Sequence, residues 1–345
     1  MRSPLRVGVV GVGHFGRNHA RIYASMPEVE LVAVADPKGD RVSAVAQQYG
    51  ARAVADHQQL SELDAVSVAV PTNCHAEIAC WFLEQGIPVL VEKPLADSVE
   101  AAERIVDTAR RNGTFVGVGH VERFNPVVVA AKELGIRPVF IECHRLNPFS
   151  FRATDVGVVL DLMIHDLDVI LHFVRARVQR VDAVGVEVLS RNEDIANARI
   201  VFQNGAVANV TASRVAVQTM RKIRVFSPDS YITLDYGKRE GQIFRKDKDL
   251  TPDMMQRITE DPSAFTDPSG AESVFGKLLH AERIALPDHD PLERELRDFI
   301  GSVRERTGQP EVSGQHGLEV LKTAFAVLDG IKRSREAVDR AHGSS

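Results

Sequence analysis

Two periods of hydrophobic spacing run along this chain, and the change from one to the other divides it. Up to about residue 120, short apolar runs alternate with stretches of helical spacing. The runs 5–10, 29–35, 65–70, 89–91 and 115–118 are almost wholly apolar, as in strands buried on both faces. Between them the spacing predicts helices over 41–49, 75–85 and 98–112, with another opening just after the first strand. Strand and helix in alternation predict a parallel sheet with helices on both faces.

Beyond His120 the repeat changes. A helix is predicted over 126–134, and the runs 139–145, 181–189, 196–202, 206–213 and 221–226 are rich in β-branched residues in alternation. They predict a mostly antiparallel sheet with one open face, interrupted by an apolar helix over 158–173. The stretch 237–290, rich in Lys, Asp, Pro and Met, has little periodicity and reads as an irregular excursion. Amphipathic spacing returns over 292–306 and 316–341, which predicts two closing helices.

Composition narrows the partner. A chain of 345 residues holds two domains of ordinary size, and 42 Lys and Arg against 47 Asp and Glu leave no basic excess for nucleic acid or an anionic membrane. A small molecule is the expected ligand. Met1-Arg2-Ser3-Pro4 runs straight into a strand without a signal-peptide pattern, and no window reaches the roughly 18 apolar residues of a membrane span, so a cytoplasmic protein without membrane insertion is expected. Cys74, Cys80 and Cys143 suit neither a disulfide framework nor a zinc site and read as reduced thiols.

The chemistry begins at Gly11-Val12-Gly13-His14-Phe15-Gly16, a G-x-G-x-x-G at the junction of the first strand and its helix. Gly11 permits the tight turn, Gly13 lets the backbone approach a pyrophosphate, and Gly16 lets the helix pack closely on the strand. The helix N-terminus offers unpaired N–H groups and a positive dipole to phosphates. Asp36 stands at the tip of the second strand, where a carboxylate accepts hydrogen bonds from a ribose diol. A bare glycine turn competes for the loop alone, but strand, glycines, helix, strand and acid together predict an NAD site. Asp36 would repel a 2′-phosphate, which disfavours NADP, although Lys38 and Arg41 stand close by. The predicted architecture is therefore α/β: a Rossmann domain with a doubly wound parallel sheet over 1–121, then an α+β domain with a mostly antiparallel open sheet over 122–345. The last helices are expected to pack back toward the first domain.

Three further clusters carry possible chemistry. Pro71-Thr72-Asn73-Cys74-His75 follows a buried strand, at the sheet edge where open α/β folds bind ligands; a helix-capping role for Thr72 or Asn73 competes with ligand contact. Glu92-Lys93-Pro94 reaches that same edge, where a lysine can orient a hydroxyl and assist its proton loss, and Pro94 restricts Lys93 to extended conformations. Asp161, His165, Asp168 and His172 form a stripe on an otherwise apolar helix. A metal site, a structural network and proton transfer compete for that stripe. No H-E-x-x-H-like spacing supports the metal, so none is expected, and proton transfer by His165 with Asp161 beside it is preferred.

Together these residues resemble the glucose-fructose oxidoreductase and inositol dehydrogenase (Gfo/Idh/MocA) oxidoreductases. The resemblance spans nearly the whole chain, and Glu-Lys-Pro joined to Asp-x-x-x-His is its specific part. It implies cofactor contacts from Gly11, Gly13, His14, Phe15, Gly16, Asp36, Pro71, Thr72, Asn73, His75, Glu92 and Lys93. It makes Lys93, Asp161 and His165 the catalytic lysine, aspartate and histidine, with hydride transfer between nicotinamide C4 and a sugar or polyol carbon. It also implies a homodimer or homotetramer built through the second sheet.

The segment Gly119-His120-Val121-Glu122-Arg123-Phe124-Asn125-Pro126 resembles members that act on UDP-linked N-acetylated sugars, among them the UDP-N-acetylglucosamine 3-dehydrogenases of lipid A synthesis. Glu122, Arg123 and Asn125 then join Asp161 and His165 as substrate residues. Arg123 can pair with a diphosphate or carboxylate and Asn125 can read an amide, while a structural arginine at a domain junction is the competing reading. The expected reaction is NAD-dependent oxidation of the sugar 3-hydroxyl, with Lys93 or His165 as base. Another sugar or polyol, such as a UDP-uronic acid, inositol or an amino sugar, is the alternative, as is an NAD(H)- and sugar-binding sensor without turnover.

Overall fold

In the computed structural model the chain divides into two compact units, Met1–Phe124 with His289–Ala326, and Asn125–Asp288 with Val327–Ser345. Residues 3–150, 156–247, 279–305 and 309–342 are described, with Thr251, Asp253, Gln256 and Glu260. Residues 261–278 of the predicted excursion and Arg306 of a predicted closing helix lie outside the described residues.

The first unit holds a six-stranded parallel sheet. Its strands are β1 (Leu5–Val10), β2 (Val29–Ala35), β3 (Arg52–Val54), β4 (Ala65–Val68), β5 (Val89–Glu92) and β6 (Val116–Gly119), in the order β3-β2-β1-β4-β5-β6. The order reverses between β1 and β4, the point where open α/β sheets take their ligands. Four helices lie in the crossovers: α1 (His14–Ser25), α2 (Gly39–Tyr49), α3 (His75–Leu83) and α4 (Val99–Arg111). Their ends follow local chemistry. Ser98 caps α4 by accepting from the Ala101 N–H at 3.1 Å, and Gly50 closes α2 in the left-handed region at φ 70°. Of these strands β3 alone was not expected; it is three residues long and two of them are exposed, too short for a periodic signal. Far along the chain, Pro291–Glu305 forms the next-to-last helix, whose Leu296, Phe299 and Ile300 join the core with Val7, Val9, Tyr23 and Leu90. Each such side chain removed from water contributes roughly 1.5–3 kcal/mol.

The second unit is built on an eight-stranded sheet: β7 (Phe140–Leu146), β8 (Val178–Val186), β9 (Ile195–Phe202), β10 (Val207–Ser213), β11 (Met220–Phe226), β12 (Ser230–Asp235), β13 (Glu240–Lys246) and β14 (Leu279–Arg283). Their order is β14-β13-β12-β11-β7-β10-β9-β8, and β7 with β10 is its parallel pair, the rest being antiparallel. The inner face is buried and apolar, with Ile141, Cys143, Ala198, Ile200, Val210, Ile223 and Leu234. α5 (Pro126–Glu133) packs on β12 and β13, and α6 (Ile164–Val174) on β7. On the other face the rings of Phe140, Phe226, Tyr231 and Phe244 stack in a row, at centroid spacings of 5.8, 5.3 and 4.4 Å.

Two expectations are corrected here. The stretch 237–290 is not irregular throughout, since it supplies β13 and β14, which pair antiparallel at the edge of the sheet. Exposed edge positions carry Lys, Arg and Glu on their outer side, which hides the alternation. The strand expected over 181–189 runs instead from Val178 to Val186, because the N–H groups of Val188, Leu189 and Ser190 all turn to one carboxylate oxygen of Asp194.

Within this unit Arg145 of β7 meets Asp166 of α6 through two hydrogen bonds of 2.8 Å, with both side chains almost fully buried. Removing one partner of such a pair strands the other charge. Arg145→Met should therefore lower unfolding free energy by about 3–5 kcal/mol in denaturant titrations. Arg180→Met, which breaks an exposed pair with Asp182, should cost about 1 kcal/mol or less.

Candidate active site

The glycine loop sits where β1 gives way to α1. Gly11 takes φ 84°, and a Cβ there would lie 2.5 Å from the Ala69 carbonyl oxygen. A Cβ at Gly16 would lie 1.7 Å from the Gly11 carbonyl oxygen, so only glycine lets the helix start this close to the strand. Gly13 brings no side-chain cap to α1, and its first turn holds no acidic residue, which leaves its N–H groups to an anion. His14 and Phe15 stand exposed at the helix start. Asp36 is buried at the tip of β2, where Oδ2 accepts from the Val12 N–H at 3.0 Å and Oδ1 from the Lys38 N–H at 2.9 Å. Arg41 reaches Asp36 Oδ2 at 3.6 Å. An uncapped helix start, a cradle that a Cβ would fill and a fixed carboxylate fit a dinucleotide.

Along the same sheet edge, neither Thr72 nor Asn73 caps α3, which begins without a side-chain cap. Both form one turn of 3₁₀-helix after Pro71, with Asn73 exposed. Buried His75 behaves differently: Nδ1 lies 3.0 Å from the Pro94 carbonyl oxygen and Nε2 3.0 Å from that of Val70. It braces the end of β4 against the segment after Lys93. Glu92 is buried as well, with Oε1 3.0 Å from His19 Nε2 and Oε2 accepting from the Lys93 N–H at 3.2 Å. Burial works against its charge, yet the hydrogen bond from His19 and the charge of Lys93 hold the carboxyl below its ordinary range. Lys93 itself is half-buried, and the Lys93–Pro94 peptide is cis.

In the second unit the stripe helix opens with a wide π-helical turn, Val159–Met163, before regular helix begins at Ile164. A π turn advances less per residue than an α turn, so the one-face spacing holds from His165 through Asp168 to His172, and Asp161 is offset from it. Asp168 is fully buried, whereas Asp161, His165 and His172 are half-buried.

The segment after β6 is turned inward. Arg123 is buried, with Nη2 2.6 Å from His316 Nε2 and Nη1 3.8 Å from Glu311. Asn125 caps α5 by accepting from the Val127 N–H at 3.2 Å, and Glu122 is half-buried.

The profile described as "Oxidoreductase family, NAD-binding Rossmann fold" matches residues 5–120, and that of the "GFO/IDH/MocA C-terminal domain" matches 128–230. The chain belongs to the Gfo/Idh/MocA oxidoreductases. It is 32% identical over 302 residues to the UDP-N-acetylglucosamine 3-dehydrogenase of Acidithiobacillus ferrooxidans, covering 87% of this chain and 88% of that one. A solved structure of UDP-N-acetylglucosamine 3-dehydrogenase GnnA from the same organism is 30% identical, with a TM-score of 0.83 over 96% of this chain and 99% of that chain. The myo-inositol 2-dehydrogenase of Thermotoga maritima is 25% identical over 96% of this chain and 97% of its own. The protein is thus an NAD(P)-dependent oxidoreductase, and its first unit is an NAD-binding Rossmann domain.

Two sets of residues around these positions carried no sequence signal. His19 is one polar residue on a helix, and its partner lies 73 positions away. Glu193, Asp194 and Arg214 form the other set. Glu193 Oε1 accepts from the Val159 N–H at 3.1 Å, Arg214 donates to the Val156 carbonyl at 2.6 Å, and Asp194 meets Arg214 Nε at 2.9 Å. These contacts fix the start of the π turn that carries Asp161. Hydrogen bonds from three backbone N–H groups and Ser190 hold the Asp194 carboxyl well below its ordinary range, against the opposing effect of its burial.

His75 has a measurable pH signature. Burial lowers its pKa from the ordinary 6.5, against the raising effect of the Val70 and Pro94 carbonyls. The unfolded chain therefore binds the proton first, and the stability contribution of His75 is complete above about pH 6.5 and lost as pH falls below it. His75→Gln should flatten the fall in unfolding free energy between about pH 7 and 5, read by urea titration at each pH. An unchanged slope would contradict a neutral His75.

Proposed function

We propose that the protein oxidises the 3-hydroxyl of UDP-N-acetylglucosamine with NAD, giving the 3-keto nucleotide sugar that a later amination would use in lipid A synthesis. One observation carries this reading: the likeness to the Acidithiobacillus ferrooxidans dehydrogenase runs over 302 residues, longer than either unit. Resemblance confined to a Rossmann domain would speak only for the cofactor. The coarser statement, a dehydrogenase of sugars or polyols, agrees with the inositol dehydrogenases that are also related.

Bound NAD supplies the acceptor for the hydride that leaves the sugar carbon. The glycine loop would hold its pyrophosphate at the start of α1, and Asp36 its adenosine ribose. Pro71, Thr72, Asn73, His75 and Glu92 border the same edge of the sheet. Lys93 or His165 takes the hydroxyl proton, and the other stabilises the developing alkoxide. Asp161 orients His165 or contacts the sugar. Glu122, Arg123 and Asn125 are the proposed reader of the nucleotide sugar, with Arg123 held by His316 and Glu311 acting on the local shape and charge. Such a substrate fits a cytoplasmic enzyme. The aromatic row on the outer face of the second sheet supports a homodimer or homotetramer through that sheet.

Absorbance of reduced nicotinamide tests this directly, with UDP-N-acetylglucosamine set beside free N-acetylglucosamine, a UDP-uronic acid, myo-inositol and glucose. Turnover is expected with UDP-N-acetylglucosamine, and Lys93→Ala and His165→Ala should each cut it by about 10²–10⁴-fold while NADH binding persists. Turnover only with a free polyol would discard the nucleotide-sugar reading, and cofactor binding without turnover on any of them would favour a sensor.

A further inference from the structure

A histidine buried to 1% exposure stands on α1, away from the exposed loop that faces a cofactor. His19 lies three residues after Gly16, on the helix face that turns to the sheet, with its ring edge-on to Tyr23 at 6.4 Å. Nδ1 meets no hydrogen-bond partner among the described residues, so a proton placed there would be buried unsatisfied, and the ring proton belongs on Nε2. Nε2 then donates to Glu92 Oε1 at 3.0 Å. Burying an imidazole for one contact is costly, and the contact is with a carboxylate that is itself buried.

That carboxylate has its own fixed place. Oε2 accepts from the Lys93 N–H at 3.2 Å, and a Cβ on Gly119 would lie 3.1 Å from Oε2, so the neighbouring strand leaves room for the carboxylate and little more. Ser67 and Tyr23 complete the wall through a hydrogen bond of 2.7 Å. Among the described residues, His19 meets the Glu92 carboxylate and the ring of Tyr23, which carries a phenol. Burial, with Glu295 adding to it, pushes that phenol above its ordinary range, so it adds no charge near neutral pH. A carboxylate anion held at the Lys93 backbone favours the ammonium form of that side chain.

We infer that His19 is a positioning residue for Lys93, acting through Glu92. The bond ties the cofactor helix to the lysine-bearing strand, so α1 cannot shift without moving the carboxylate that takes the Lys93 N–H. This inference rests on the reading of Lys93 as a residue of the reaction, and its test includes a measurement that needs no substrate.

The Lys93 amine is labelled with acetic anhydride across a range of pH, and its peptide is read by mass spectrometry in the wild type, His19→Leu, His19→Gln and Glu92→Gln. The labelling midpoint should move to lower pH in His19→Leu and Glu92→Gln, because the ammonium loses a fixed counter-charge. It should return toward the wild-type value in His19→Gln, whose amide keeps a donor. In turnover, His19→Leu should lower kcat by about tenfold or more with KM for NAD within about twofold, and shift the pH–rate profile in the direction of the labelling midpoint. A folded His19→Leu that binds NADH and keeps the wild-type midpoint and profile would overturn the inference. Should His19→Leu not fold, His19→Gln against Glu92→Gln decides on the same readout. If the wild type turns over none of the sugars, the proposed function fails, and the labelling result alone upholds or overturns the link from His19 to Lys93.

Discussion

The cofactor edge of this enzyme depends on one missing side chain. Gly16 lets the first turn of α1 come so near the end of β1 that any Cβ would overlap the Gly11 carbonyl oxygen. Once the helix is seated there, its periodicity places the residues one and two turns on. His19 reaches Glu92 at the end of β5, and Tyr23 reaches Ser67 in β4. The same approach that opens the helix N-terminus to phosphates thus brings a buried polar face against the strands on the far side of the switch point. Asp36 ties in the other side by taking the Val12 N–H.

The second unit solves a comparable problem with charges. Its stripe helix must begin without a side-chain cap, in a wide turn that holds Asp161. Glu193 and Arg214 meet the backbone there, Asp194 holds Arg214, and a Cβ at Gly157 would fall 1.9 Å from the Glu193 carboxylate. The turn is held from outside the helix by groups just before β9 and just after β10. Farther along, the Arg145–Asp166 pair fixes the same helix to β7. Polar residues that must stand in an apolar setting are here given partners before they are given roles.

The sequence disclosed what depends on short-range pattern. Buried parallel strands are continuous apolar runs, the glycines stand at fixed offsets, and the closing helices keep a clear stripe, so both sheets and most helices were legible. β12, β13 and β14 were missed because strands near or at a sheet edge alternate weakly and the excursion around them is polar. The wide turn before Ile164 was also invisible, since four-residue spacing reads as regular helix unless hydrogen bonding is known. Long-range partners carry no periodic signal at all. Nothing in the neighbourhood of His19 points to Glu92, and nothing near Arg123 points to His316, 193 residues away. For His75 the residue was found, and the structure adds that a backbone carbonyl oxygen lies 3.0 Å from each ring nitrogen.

The central claim concerns one carbon of one substrate, and an isotope reports on it most directly. UDP-N-acetylglucosamine carrying deuterium at C3 would be incubated with NAD and the protein, and the reduced nicotinamide examined by mass spectrometry. Oxidation at C3 predicts deuterium in the reduced cofactor, with a keto sugar that has lost it. Reduced cofactor free of deuterium, or none formed while another sugar is oxidised, would contradict the claim.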